Sequence, residues 1–173
     1  PCLVRPKAKD LVFEEVEAAT RGASDFGDFK RRLRLVRRSE MLRLGARELG
    51  WGTTEEVAAE LSEFADACLE LSYRFCDSML RAEYGVPELD PEASGGGTDR
   101  AATFVVMAMG KLGGEELNFS SDVDLIYFYS TDFGRVAPND PDGERAPAPQ
   151  SLHQYFAELS RRITEAIEDV TSE

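Results

Sequence analysis

Histidine, cysteine and tryptophan are scarce in this chain: His153, Cys2, Cys68, Cys76 and Trp51 are all that 173 residues contain. A tetrahedral zinc site draws its ligands mainly from Cys and His, and these few fall at no ligand spacing, which argues against one. Cys68 and Cys76 would lie about 12 Å apart along a single helix at ~1.5 Å per residue, beyond disulfide reach. Free, mostly buried thiols in a reducing cytoplasm are therefore expected. Long apolar runs are missing too. None approaches the roughly 18–20 residues that span a bilayer, so no transmembrane helix is expected. The opening stretch PCLVRPKAKDLVFEEVEAA lacks the apolar segment of a secretory signal. It begins at Pro1 rather than at methionine, so a piece of something longer is expected.

Positive charge is also in deficit. Twenty Lys and Arg face 33 Asp and Glu, a formal net charge of -13, which repels nucleic-acid backbones and anionic membranes alike. Neither is expected as a partner, and the location expected is cytoplasmic. One stretch runs against this balance: KRRLRLVRR, from Lys30 to Arg38. A solvated helix face neutralised by acidic neighbours is the plainer reading, and a face for phosphate or for a partner is the sharper one.

Apolar residues make up 42% of the chain, enough for a core and against wholesale disorder. The length suits one ordinary domain, or a small catalytic unit with a helical companion. Phe29, Leu33, Val36 and Leu44 form an apolar stripe that predicts a helix from about Asp25 to Leu49, ended by Gly50 and Gly52. Thr53 and Glu56 have capping-box spacing. They open a longer helix reaching about Tyr84, with Val57, Leu61, Phe64, Cys68, Leu71, Phe75 and Met79 as its core stripe. Alternation by four and three suits packing against another helix. The pattern stops after about three to four heptads, which favours an internal bundle over a coiled-coil dimer. Gly85 and Pro87 end this helix.

GVPELDPEASGGGTDR, from Gly85 to Arg100, reads as a loop by composition. TFVVMAM (Thr103–Met109) reads as a strand buried on both faces, and VDLIYFYS (Val123–Ser130) as a second strand. Thr131 to Pro149 again reads as loop. Leu152, Phe156, Leu159, Ile163, Ile167 and Val170 at helical spacing predict a final amphipathic helix from Ser151 to about Val170. The fold class is α+β and helix-rich, with a helical portion over 1–84, a linker over 85–100 and a core over 101–173.

MGKLGGEELNFSSDVDLIYFY, from Met109 to Tyr129, concentrates the residues that carry chemistry. Residues two apart on a strand point to one side, so Asp122 and Asp124 aim both carboxylates at one point. Converging carboxylates repel, and a hard divalent cation such as Mg²⁺ relieves this while keeping open positions for phosphate oxygens. Gly113 and Gly114 let backbone approach an anion closely and offer N–H donors. Ser120 and Ser121 add hydroxyls, and Lys111 adds a cation. Each piece alone is weak, since a double glycine is usually a turn and a loop lysine is usually just solvated. The ordered combination of strand, apolar-Gly-Gly, spacer and Asp-apolar-Asp-apolar strand is far more specific.

That combination resembles the signature of the nucleotidyltransferase superfamily typified by DNA polymerase β. More narrowly, the whole motif, together with FKRRLRLVRRSEMLRLGARELG before it and HQYFAELSRRITEAIED after it, resembles the bacterial family of bifunctional glutamine synthetase adenylyltransferase/adenylyl-removing enzymes. The resemblance runs from about Asp28 onward. It implies a nucleotidyltransferase core with a small mixed sheet preceded by long packed helices. It also implies Mg²⁺ held by Asp122 and Asp124 as metal-binding and catalytic carboxylates, and phosphate oxygens held by Gly113, Gly114, Ser120, Ser121 and Lys111. The partners it implies are glutamine synthetase, nucleotide (ATP or ADP), phosphate and signalling proteins of the PII type. The family carries two related units, one removing AMP from a tyrosine by phosphorolysis and one attaching it from ATP. Met-Gly-Lys-Leu-Gly-Gly and Asn118-Phe119 look more like the removing unit.

One departure concerns the family's third metal-binding carboxylate, which lies on a strand following the last helix. The chain ends at Glu173, and Asp132, Asp140, Asp142 and Asp169 are poor substitutes by position. An incomplete site, with weak metal binding and little turnover from these residues alone, is therefore expected. The adenylylating unit is the alternative within the family. A non-catalytic helical interaction module, with the glycines as a mere turn, is the alternative outside it.

Overall fold

A computed structural model of the chain describes residues 3–90, 101–137 and 151–171, the last three of these by backbone alone. Cys2, Asp140, Asp142 and the side chains of Asp169 and Val170 lie outside the described residues. Along the chain come α1 (Lys9–Thr20), α2 (Phe26–Gly50), α3 (Thr54–Tyr84), β1 (Val86–Leu89), β2 (Phe104–Ala108), the single turn α4 (Gly110–Gly113), β3 (Leu125–Tyr129), β4 (Gly134–Ala137) and α5 (Leu152–Thr171). Helices dominate, with small antiparallel sheets, an α+β arrangement. The chain divides into two compact units that do not follow chain order. One comprises Pro1–Ser72, Ala108–Ile126 and Glu165–Glu173; the other comprises Tyr73–Met107 and Tyr127–Thr164.

In the first unit, α2 begins where Asp25 caps the Asp28 N–H at 2.8 Å and Asp28 in turn accepts from the Ser24 N–H. The capping box on α3 forms as its spacing requires, with Thr53 Oγ1 accepting from the Glu56 N–H and Glu56 Oε2 accepting from the Thr53 N–H. Helix α1 was not foreseen; Val12, Val16 and Thr20, four apart, are its buried face. Phe29, Leu33 and Leu44 are buried as the stripe of α2 demands. The start of the basic stretch is balanced locally: Asp28 pairs with Arg31 and Arg32, and Glu165 with Lys30 at 2.8 Å.

The deepest feature of this unit is ionic, and periodicity gave no sign of it. Arg47 has no exposed surface. Its Nε lies 2.7 Å from Glu60 Oε2, one Nη pairs with Glu56 at 3.1 Å, and the other donates to the Leu3 carbonyl at 3.0 Å. Arg43 joins Glu40 at 2.7 Å to Glu60 at 3.0 Å, and Lys7 reaches Glu40 at 2.9 Å. Three cations and two buried carboxylates thus tie the segment before α1 to α2 and α3. A Cβ on Gly52 would stand 3.1 Å from Arg47 Nη2, so the glycine that ends α2 also makes room for its buried guanidinium.

In the second unit, Phe104 stacks on Tyr73, Tyr127 and Phe156 with ring centroids 5.4–5.8 Å apart. Cys76, Leu80, Leu152, Tyr155, Leu159 and Ile163 have no exposed surface. Tyr155 donates to Asp77 at 3.3 Å; burial first, and then that carboxylate, raise its phenol above its ordinary range. Arg162 joins Glu83 at 2.9 Å to Glu158 at 2.8 Å.

Four sequence expectations need correction. The buried face of α3 follows the predicted stripe through Leu71, then passes to Cys76 and Leu80 while Phe75 and Met79 are half-buried. The change falls where α3 leaves the first unit at Ser72 and enters the second at Tyr73, so different neighbours select the buried face on either side of that point. Strand β2 is not buried on both faces: Val105 is 53% and Met107 45% exposed, and only the alternate residues face the aromatic stack. Val86–Leu89 and Gly134–Ala137, both read as loop, pair antiparallel with Pro87 opposite Val136. A two-stranded ladder has only edges, where proline is tolerated, and Gly134 at φ +156 passes so near the Glu88 carbonyl that no Cβ would fit. Where the resemblance implies a mixed sheet, the described strands make two antiparallel pairs, β1–β4 and β2–β3.

Two outcomes follow. Glu60→Ala leaves the fully buried Arg47 with only the exposed Glu56 carboxylate and should cost about 3–5 kcal/mol by chemical denaturation, while Glu17→Ala, in an exposed pair with Arg21, should cost about 1 kcal/mol or less. The second outcome is acid sensitivity. Burial opposes ionisation of Glu40, but hydrogen bonds from Arg43 and Lys7 outweigh it and hold its carboxyl below the ordinary 4.5; Arg161 and Arg162 bring Glu158 to about 2. Both groups bind protons more readily when unfolded, so their stabilisation is complete above pH 4.5 and is lost as pH falls toward 2. The thermal midpoint should drop over that window, and Glu158→Gln should flatten the lower part of the drop.

Candidate functional site

All the predicted site residues fall between Ala108 and Ile126, within the first unit. Strand β2 ends at Ala108, and the Met109 N–H donates to the Asp124 carbonyl at 2.9 Å. At the far end of the same pair the Ser130 N–H donates to the Thr103 carbonyl at 3.0 Å, so β2 and β3 run antiparallel. Between them the chain makes the turn α4 and an irregular stretch pinned at Leu117, whose N–H donates to Ser62 Oγ on α3 at 3.1 Å. Leu112 and Leu117 are buried and anchor the loop from below.

Asp122 and Asp124 precede β3 and continue its alternation: Asp122, Asp124 and Ile126 are exposed, whereas Ser121, Val123 and Leu125 are half-buried. Both carboxylates therefore lie on one side of the chain, at the mouth of the strand, as period-two geometry requires. Neither forms an ion pair or hydrogen bond among the described residues. Asp124 stands beside Gly110: a Cβ built there would be 3.6 Å from Asp124 Oδ2. Gly110 adopts φ +57, a left-handed conformation that favours glycine. It is the glycine that the sequence reading passed over, although its place immediately after an apolar strand was the available signal.

Gly113 and Gly114 serve the turn. A Cβ on Gly113 would come within 2.6 Å of the Ala108 carbonyl oxygen, so only glycine lets the chain fold back on the end of β2. The Gly113 N–H donates to the Met109 carbonyl and the Gly114 N–H to that of Gly110. An anion at these two amides would compete with those bonds. Lys111 is exposed on the same turn. Ser120 and Ser121 gather around Asn118, whose Oδ1 accepts from the Ser120 N–H at 3.3 Å and from Ser121 Oγ at 2.6 Å. Asn118 thus shapes the approach to the aspartates, a side-chain turn typical of asparagine.

The structure brings Asp124 beside Gly110, which opens the turn carrying Lys111, Gly113 and Gly114; Asp122 is exposed two residues earlier. Two free, exposed carboxylates on one side form a hard oxygen donor set of the kind that Mg²⁺ takes when substrate oxygens and water fill the remaining positions. Among the described residues no cluster of three His, Cys, Asp or Glu side chains is placed to hold a metal. Cys68 and Cys76 are buried thiols, not joined in a disulfide, and no described helix is long and apolar enough to cross a membrane.

Comparison with known proteins identifies the family. A profile of glutamate-ammonia ligase adenylyltransferases matches residues 2–173. Curated relatives named bifunctional glutamine synthetase adenylyltransferase/adenylyl-removing enzyme include one from Thioalkalivibrio sulfidiphilus, 34% identical over 99% of this chain and 16% of the relative. Another, from Ralstonia nicotianae, is 36% identical over 83% of this chain and 14% of the relative. A third, from Nitrosomonas eutropha, is 31% identical over 98% of this chain and 17% of the relative. The chain therefore spans roughly one-sixth of the length of these relatives. With a match that covers the helical portion as well as the glycine–aspartate segment, the chain belongs to the glutamate-ammonia ligase adenylyltransferase family.

Proposed function

We propose that this chain is part of a nucleotidyltransferase that removes AMP from an adenylyl-tyrosine of glutamine synthetase by phosphorolysis. The observation that carries the reading is the placement of Asp122 and Asp124: exposed, unpaired among the described residues, on one side of the chain, with Asp124 against Gly110 at the end of β2. Their carboxylates would hold Mg²⁺, which supplies charge neutralisation for the phosphoryl oxygens. An oxygen of inorganic phosphate attacks the phosphorus of the adenylyl group. The bond from phosphorus to the tyrosine oxygen breaks, and the tyrosine takes up a proton, leaving ADP and the free phenol. Lys111, on the turn, adds positive charge beside the incoming phosphate. Ser120 and Ser121 are held by Asn118 at the approach to the carboxylates.

Asn118-Phe119 favours removal over attachment of AMP, by resemblance to the removing unit of the family. The same residues with ATP as donor would serve the adenylylating reaction. PII-type proteins and cytoplasmic location belong to the reading through family resemblance.

The deciding assay incubates adenylylated glutamine synthetase with phosphate and Mg²⁺, using this chain and a version extended through the strand that follows in its relatives. ADP release from the extended version supports removal; AMP incorporation from ATP with no ADP release from the adenylylated substrate would refute it. In the extended version, Asp122→Asn or Asp124→Asn should lower turnover by orders of magnitude, because charge stabilisation at phosphorus is worth several kcal/mol. Stability should be unchanged or slightly higher as mutual repulsion is relieved. Undiminished turnover in either variant would remove that aspartate from its role.

A further inference from the structure

The side of the 121–124 segment opposite the two aspartates faces a pocket. Ser121 and Val123 contribute to its wall, whereas Asp122 and Asp124 do not. Its floor is apolar and comes from α3, where Leu61, Phe64 and Cys68 are buried. Asn118 and Phe119, both exposed, also line it. The cavity measures about 80 Å³, room for a compact ligand group and too little for a docked helix.

One wall carries a charge that no described residue answers with an ion pair. Other cations of α2 have carboxylate partners: Lys30 with Glu165, Arg32 with Asp28, Arg43 with Glu40 and Arg47 with Glu60. Arg37, half-buried against the pocket, forms no ion pair and no hydrogen bond among the described residues. Its field reaches the Cys68 thiol, but burial raises that thiol well above its ordinary range and keeps it neutral. The charge of Glu40, one turn further along α2, also acts on that thiol, but no described carboxylate comes within ion-pairing distance of the Arg37 guanidinium, which has lost part of its hydration. Arg38, the next residue, is exposed.

We propose that this pocket binds a small amphipathic anion, an aromatic or branched apolar body bearing one carboxylate or sulfonate, with Arg37 pairing the anionic group at the wall and the apolar body seated on Leu61, Phe64 and Cys68. Arg37 supplies a fork of donors suited to a carboxylate, and the α3 floor supplies the apolar surface. The ligand rests on Val123, directly behind the aspartate pair, so its occupancy bears on how Asp122 and Asp124 are set. That effect rests on the function proposed above; binding itself does not.

The test uses anilinonaphthalenesulfonate as probe on the 173-residue chain, without metal or nucleotide, read by fluorescence titration. Saturable binding at one site is expected. Arg37→Met should weaken binding about tenfold or more, and Arg38→Met should leave it unchanged. N-phenylnaphthylamine, the same aromatic body without the sulfonate, should bind the wild-type chain more weakly. If Arg37→Met proves unfolded by circular dichroism, that comparison carries the charge test in the wild-type chain. Equal binding of the charged and neutral probes, or undiminished binding by a folded Arg37→Met chain, would overturn the proposal. Failure of the phosphorolysis assay leaves these measurements standing, and their failure leaves the aspartate variants' effect on transfer intact.

Discussion

The contact between Arg47 and Glu60 is the constraint around which the first unit is organised. A guanidinium with no exposed surface is tolerable only where carboxylates and a carbonyl surround it, and here those groups come from separate places. Glu56 and Glu60 lie on α3, and the Leu3 carbonyl lies ahead of α1. Gly52 clears the space beside it. The helices must therefore adopt one register against each other, since sliding by a turn would leave a charge buried and alone. Apolar stripes would accept several registers; a charge network of this kind accepts few.

That rigidity bears on the site through Ser62. Two residues after Glu60, Ser62 receives the Leu117 N–H, and Leu117 anchors the irregular stretch that leads to Asp122. The aspartates are thus carried on a loop whose base is fixed to α3, while their own carboxylates remain free. Period-two alternation then divides the segment between two purposes. One side presents charge outward, and the other turns Ser121 and Val123 toward the pocket beside Arg37. Function and packing occupy opposite sides of a few residues, which explains how an unpaired carboxylate couple can persist next to an apolar floor.

Local chemistry was legible wherever it depended on spacing. Thr53 and Glu56 announced their capping box, Asp25 its helix start, and Leu152 through Ile163 the buried face of α5. The Asp-x-Asp segment and the turn before it were visible as a motif, and the match along residues 2–173 confirmed the family that the motif resembles. Composition misled where it stood in for geometry. Pro87 and Gly134 made β1 and β4 look like loops, yet a proline fits a ladder that is all edge, and Gly134 is needed because the partner backbone passes so close.

The sequence by itself determined helices α2, α3 and α5, the order of strand, turn and paired aspartates, and the family, because each depends on residues near one another along the chain. Only the tertiary structure decided that Arg47 and Glu60 are core residues, that Gly110 stands against Asp124, and that Arg37 lines a pocket with no ion-pair partner among the described residues. These facts join residues far apart in sequence. Whether a charged side chain meets water, a counter-charge or an apolar wall is set by what other segments bring to it, and no local pattern records that.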